Sequence, residues 1–198
     1  MATSDLVVQN PQNPASSHVV NDMSISVATV NGSGSQSSNS VLLRAIFQMG
    51  VPVSGKNLFP SNIAGLPTWF TIRANQHGYI ARKKEIDFLV AMNPETAKDD
   101  VMSLAPGSSV VFDEPLKLSE LRTDLVFYSV PYDKILVSVG VEAKVRKLVR
   151  NMIYVGVVAQ ILDIDMKEVE IAIQRQFSKK AKAAALNLSA AKAGFEYA

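Results

Sequence analysis

Cysteine is absent from all 198 residues. That excludes a disulfide framework, a cysteine nucleophile and any iron-sulfur cluster held by this chain's own thiolates. Histidine occurs only as His18 and His77, the first in a loose arm and the second at a turn, so a histidine-centred metal site or catalytic triad is not expected. A charge excess is missing too: 20 Lys and Arg against 18 Asp and Glu leave a formal charge of +2, too small to point to nucleic acid. No apolar run is long enough to cross a bilayer, and no basic segment leads into an apolar signal core. The longest candidate, 152–162, is interrupted by Gln160 and reads as buried helix. Neither nucleic acid nor membrane is an expected partner, and a cytoplasmic location is expected.

What is present is the balance of a globular domain. Hydrophobic residues make up 47% and charged residues 19% of the chain, and a lightly charged surface leaves room for a large protein partner. A mass of 21.4 kDa suffices for one substantial core. Residues 1–22 are rich in Pro, Asn, Gln and Ser and read as a flexible arm, leaving 23–198 for the folded unit.

The most informative stretch is 28–40, where a short apolar strand runs into glycines and hydroxyls and then into a helix pattern. Ser24 to Val30 alternates, whereas Val41, Leu42, Ala45, Ile46 and Met49 recur at helical spacing. Gly32 and Gly34 permit positive φ and close backbone approach, and Ser37, Ser38 or Asn39 is expected to cap the helix. The N–H groups at such a helix start suit a phosphate or carboxylate. The pattern is neither the dinucleotide fingerprint, lacking its third glycine, nor a triphosphate loop, lacking Gly-Lys-Ser/Thr. A tight turn without a ligand explains it equally well.

Gly50 marks a helix stop, and Val51 to Ser54 reads as a short strand. A polar excursion follows from Gly55 to Pro67, its path set by two prolines and two glycines. Trp69 to Arg73 alternates as a strand, and Gln76, His77 and Gly78 form a turn. Asp87 to Met92 is a continuous apolar run of the kind found in central parallel strands. Asn93, Pro94 and Glu95 then suit a helix start, with Ala97, Val101 and Leu104 as its apolar stripe. Further strands are expected at Ser109 to Phe112 and Leu125 to Val130. This alternation predicts an α/β fold: an open, largely parallel sheet flanked by helices, with a helical C-terminal extension from about Glu142. There Val145, Leu148, Val149, Met152, Ile153 and Val157 form one stripe, and Lys144, Arg146, Lys147 and Arg150 lie mainly off it. Asp165 and Glu168 have capping-box spacing for the next helix. The alanine-rich tail has high helix propensity but little bulk, so it is expected to pack on something larger.

Within the excursion, Lys56, Asn57, Ser61 and Asn62 offer polar contacts, and Arg73 is a candidate anion ligand. A surface or salt-bridge role explains Arg73 as well. His77 reads as a solvated turn residue. Asp87, Asp113, Glu114 and Asp133 form no paired-carboxylate pattern and are assigned surface or capping roles. The basic series 144–150 reads as a solvated helix face or a contact for an acidic neighbour, without the aromatic interleaving of a nucleic-acid platform. No catalytic acid or base and no metal ligand is assigned.

Three separated stretches carry a family resemblance across Ser24 to Ala198: the loop Gly32 to Ser38; Phe59-Pro60-Ser61-Asn62-Ile63-Ala64-Gly65-Leu66-Pro67-Thr68-Trp69; and Asn151 to Asp165 together with Leu186-Asn187-Leu188 and Ala193-Gly194-Phe195-Glu196-Tyr197. In order and spacing they resemble the gamma domain of the 2-oxoacid:ferredoxin oxidoreductases, especially where that domain leads the alpha subunit of a 2-oxoglutarate enzyme. The family's Gly-x-Gly-Gly-Gln-Gly stands here as Gly32-Ser33-Gly34-Ser35-Gln36-Ser37, with two glycines replaced by serine. Strain is expected wherever a replaced position needs positive φ.

The resemblance implies participation in coenzyme A-dependent oxidative decarboxylation of a 2-oxoacid, with 2-oxoglutarate expected, and electrons passing to ferredoxin. Thiamine diphosphate, magnesium and iron-sulfur clusters are expected on alpha and beta modules, the chain alone being inactive. Gly32, Gly34, Ser35 and Gln36 would form the phosphate-facing edge for coenzyme A, with Ser61, Asn62 and Arg73 contributing. The alpha-domain motif that follows a fused gamma domain is absent, so the chain reads as a fragment or a separate subunit. Two alternatives stand beside this reading: a structural gamma-like subunit without cofactor contact, and an independent nucleotide-binding protein.

Overall fold

The computed structural model describes residues 21–59 and 64–198. Six strands form one sheet: β1 (Asp22–Val30), β2 (Val53–Leu58), β3 (Pro67–Asn75), β4 (Phe88–Ala91), β5 (Ser109–Asp113) and β6 (Val126–Val130), in the spatial order β2-β3-β1-β4-β5-β6. β1, β4, β5 and β6 run parallel, and β3 is antiparallel to both β1 and β2. The sheet is therefore largely parallel with a hairpin appended at one edge, and β1 joins the two halves.

Alternation along β1 decides which side is covered by what. Met23, Ile25 and Val27 face a core shared with α1 (Ser35–Gln48), α4 (Ala143–Ile161), α5 (Met166–Gln176) and α6 (Ala181–Tyr197). Ala28, Leu89, Val110 and Phe112 face the other side, where α2 (Ala97–Met102) contributes Ala97 and Val101 and the next turn adds Leu104. Two short 3-10 turns, Glu114–Leu116 and Leu118–Glu120, complete that layer. The expected stripes of α1, α2 and α4 are buried, apart from the half-buried Met49 and Val145 and from Leu148, which is 57% exposed. Gly50, at φ 84°, ends the first helix as expected.

Four local expectations are corrected. The excursion is shorter than Gly55 to Pro67, because β2 continues to Leu58 and pairs with β3, placing Lys56 and Asn57 in a strand. Asn93 does not start α2: its Oδ1 accepts the Glu95 N–H at 3.1 Å and its carbonyl accepts from Thr96 and Ala97, closing a turn ahead of the helix. Tyr132–Ser138 is an additional helix, α3, before the C-terminal region. At α5 the Asp165 cap accepts the Lys167 N–H at 2.8 Å, but Glu168 does not close a capping box; its carboxylate accepts from Gln48 of α1 at 2.8 Å.

The alanine-rich tail packs within the chain. Small residues let α6 approach α4 backbone to backbone, with Ala190 and Ala191 fully buried. A Cβ on Gly156 would lie 1.8 Å from the Ala191 carbonyl oxygen, and one on Gly194 would lie 2.2 Å from that of Ile153. The pair closes because neither glycine carries a side chain.

Candidate functional site

The site begins where β1 ends. A turn closed by the Ser33 N–H on the Val30 carbonyl at 3.1 Å leads into α1, with Gly32 at φ 83° and Gly34 at φ 84°. Both glycines use the left-handed conformation that β-carbon sterics discourage. Gly34 is the N-cap, so no side chain from that position caps the helix. Ser37, Ser38 and Asn39 lie inside α1 and not at its cap, correcting the expectation. Ser35 and Ser37 likewise take helical backbone, so the two serines bring no backbone strain.

Side chains from distant segments hold this turn. The Thr29 and Ser35 hydroxyls are hydrogen-bonded at 2.9 Å, tying the strand end to the helix start. Asn151 of α4 donates its amide to the Ser33 carbonyl at 2.8 Å. The fully buried Tyr154 donates its hydroxyl to Asn39 Oδ1 at 2.7 Å, and burial pushes the phenol well above its ordinary pKa. From the hairpin side, the Asn31 N–H reaches the Leu66 carbonyl at 2.8 Å and Gly65 N–H reaches the Asn31 carbonyl at 2.9 Å. The excursion thus meets the glycine turn through backbone bonds.

A cleft of 350 Å³ opens between them. Gly32, Gly34, Ser35 and Gln36 form one wall, and Asn57 and Phe59 stand opposite. Four of the seven residues expected from the sequence to meet a ligand are therefore together. Ser35 turns its hydroxyl inward to Thr29, whereas Gln36 is exposed. Leu148 closes one end, and a Cβ built on Gly34 would sit 3.0 Å from Leu148 Cδ2. On the far side of Leu148 lies a second pocket of 540 Å³ with an apolar floor and three lysines, Lys144, Lys180 and Lys182.

Arg73 is not brought to this cleft. It pairs in register with Ser24 near the start of β1, whereas the glycine turn follows Val30, six residues and about 20 Å along the strand. Its guanidinium is buried, ion-paired with Asp22 and donating to the Met23 and Ala74 carbonyls. Burial works against ionisation of Asp22, but hydrogen bonds from Lys83, Arg73 and Asn75 outweigh it and hold the carboxyl at about 2. Ser61 and Asn62 lie outside the described residues.

The other candidates serve the fold or the surface. Arg150 pairs with Asp113, pairs with Asp133 at 2.6 Å and lies over the Tyr132 ring at 5.2 Å. Burial pushes the Asp113 carboxyl up, with the Arg150 charge opposing. Glu114 pairs with Lys134 at 3.0 Å, and His77 stays at its exposed turn. Among the described residues no His, Asp and Glu group is arranged to hold a metal ion, and no helix is long and apolar enough to cross a membrane. Periodicity did not single out Asn151 or Tyr154; the available signal was a polar amide directly before the apolar run 152–159 of α4.

The fold has counterparts among known proteins. The family model described as pyruvate ferredoxin/flavodoxin oxidoreductase matches residues 24–197. The alpha subunit of 2-oxoacid:ferredoxin oxidoreductase 2 from Aeropyrum pernix is 25% identical over 96 residues, covering 48% of this chain and 15% of that protein. The 2-oxoglutarate:ferredoxin oxidoreductase from Magnetococcus marinus, solved with 2-oxoglutarate, coenzyme A and succinyl-CoA bound, shares the fold with a TM-score of 0.74 at 22% identity, over 90% of this chain and 32% of that one. The gamma subunit of keto/oxoacid ferredoxin oxidoreductase from Geobacter sulfurreducens PCA has a TM-score of 0.70 at 17% identity, over 88% of this chain and 96% of that one. The chain thus spans only a minor part of the first two proteins, but nearly the whole of the third.

Proposed function

Because the chain belongs to the pyruvate ferredoxin/flavodoxin oxidoreductase family, we propose that it is the gamma-type component of a coenzyme A-dependent 2-oxoacid:ferredoxin oxidoreductase. In this reading alpha and beta modules carry thiamine diphosphate, magnesium and iron-sulfur clusters, decarboxylate the 2-oxoacid and pass electrons to ferredoxin. This chain receives coenzyme A, orients its thiol end for acyl transfer and shields the intermediate from water. The preferred 2-oxoacid is 2-oxoglutarate. Support for that choice is the resemblance to the alpha-subunit form and the 2-oxoglutarate and succinyl-CoA bound to the Magnetococcus enzyme.

The observation that carries the reading is the cleft of 350 Å³ at the glycine turn. It lies within the usual size range of ligand pockets. Its edge is backbone at Gly32 and Gly34, where nothing projects to block close approach. The absence of cysteine from these 198 residues assigns every cluster ligand elsewhere.

Binding of labelled coenzyme A to the reconstituted complex, before and after Gly34→Val, tests the assignment. The branched side chain demands a left-handed valine and collides with Leu148. Affinity should fall by about tenfold or more. Wild-type affinity in a folded complex would reject the cleft and favour a purely structural subunit. Ser35, whose hydroxyl is already satisfied by Thr29, is the observation that favours this second reading.

A further inference from the structure

We infer that the charged end of the bound ligand lies not against the glycine turn but in the neighbouring lysine pocket, with Leu148 as the divide between a neutral and a basic chamber of one site. This rests on the coenzyme A reading above. Of the residues that the family pattern assigns to the ligand, Arg73 is the single cation, and it is consumed at the other end of β1. Among the described residues no Lys or Arg lines the glycine-turn cleft, which presents backbone, amides and Phe59. A multiply charged phosphate group placed there would have helix-start N–H groups but no counter-charge from them.

The pocket beyond Leu148 supplies what the cleft lacks. Its volume of 540 Å³ is the larger of the two, and it lies where the starts of α1, α4 and α6 converge. Lys144 is paired with Glu142 at 2.7 Å. Lys180 and Lys182 form no ion pair with the described residues and both are exposed beside the pocket. Val145, Phe177 and Leu186 give it an apolar floor. Cations at the rim and an apolar floor suit an amphipathic anion, the phosphorylated nucleotide end of coenzyme A. The two pockets share Gly34 and Leu148. One ligand can therefore lie across both, with phosphates among the lysines and its uncharged pantetheine arm passing over Leu148 along Gly34 to Gly32. The glycines serve close passage of that arm, and the neutral serines of the loop are compatible with it.

The test uses the full chain in its reconstituted complex and three probes: coenzyme A, dephospho-coenzyme A and pantetheine. Lys180→Glu with Lys182→Glu should weaken coenzyme A by about tenfold or more and flatten the salt dependence of its binding. Dephospho-coenzyme A should be weakened less, and pantetheine, which lacks phosphate, should be unaffected. Should the reversed pair fail to fold, Lys180→Ala with Lys182→Ala should give a smaller loss with the same order among probes. Wild-type affinity and salt dependence in both lysine variants, alongside a loss in Gly34→Val, would overturn the two-chamber assignment while leaving the coenzyme A reading intact. If Gly34→Val also binds normally, both fall. Equal losses for all three probes would likewise overturn it, because they would show general disruption and not lost charge pairing.

Discussion

Asn151 holds Ser33: the amide of a buried residue in the middle of α4 donates to the carbonyl of the glycine turn at 2.8 Å, across 118 positions of sequence. The turn is thereby positioned by the C-terminal helices as much as by its own glycines. Asn151→Ala should destabilise the chain by about 1 kcal/mol, through loss of a hydrogen bond and exposure of a small void. Asn151→Asp should cost more at neutral pH, since a buried carboxylate cannot donate to the carbonyl, and protonation at low pH should recover part of the loss. Urea unfolding of both variants at two pH values measures the difference.

Gly156→Ala should be among the most damaging single-methyl changes available. Its Cβ would fall 1.8 Å from the Ala191 carbonyl oxygen, a rigid backbone atom, so α4 and α6 must separate. A loss of about 3 kcal/mol or more is expected. Gly140→Ala provides the comparison: its φ is 72° but nothing lies within 4 Å of the added Cβ, so only backbone strain of about 1 kcal/mol applies. Equal thermal unfolding midpoints for the two variants would contradict the close approach of the helices.

Asp22 gives a pH dependence with a definite sign. Its folded carboxyl titrates at about 2, below the roughly 3.9 of an unfolded chain. A depressed folded pKa contributes stability that is complete above about 3.9 and disappears as pH falls through about 2. Asp22→Asn should therefore lower the unfolding midpoint near neutral pH, and the gap from wild type should close in strong acid. Part of that neutral-pH loss is Arg73 left buried without its carboxylate. Parallel midpoints for the two proteins from neutral to strong acid would refute this linkage.

The parts of the fold that local chemistry determines were legible. Continuous apolarity identified β4, the periodic stripes of α1 and α4 identified their buried faces, and Asp165 identified the start of α5. The bounds of β2 were not legible, because Gly55, Lys56 and Asn57 have poor strand propensity and are held by pairing with β3. α3 was not legible either, although Pro131 precedes Tyr132, Ile135 and Leu136, all buried at helical spacing; seven residues give a weak periodic signal. In the candidate site, the positive φ of Gly32 and Gly34 followed from residue type. The placement of Arg73 did not, since it depends on register: pairing with Ser24 directs it away from the turn, and no property of the side chain reveals which end of the strand it will occupy. The lysine pocket leaves no local signature in the sequence, because Lys144 and Lys182 belong to different helices and meet only after α6 has folded back on α4.

That last packing step has a consequence for synthesis on the ribosome. The strands and α1 lie within residues 22–130, but α4, α5 and α6, which share the core on the α1 side of the sheet, lie after residue 142. Until α6 settles against Gly156, the apolar face of α4 that it covers stands open to water and to other nascent chains. Closure of this core must wait for the seventeen residues of α6, and translation that stalls before them leaves a species suited to aggregation or chaperone capture rather than a smaller working domain.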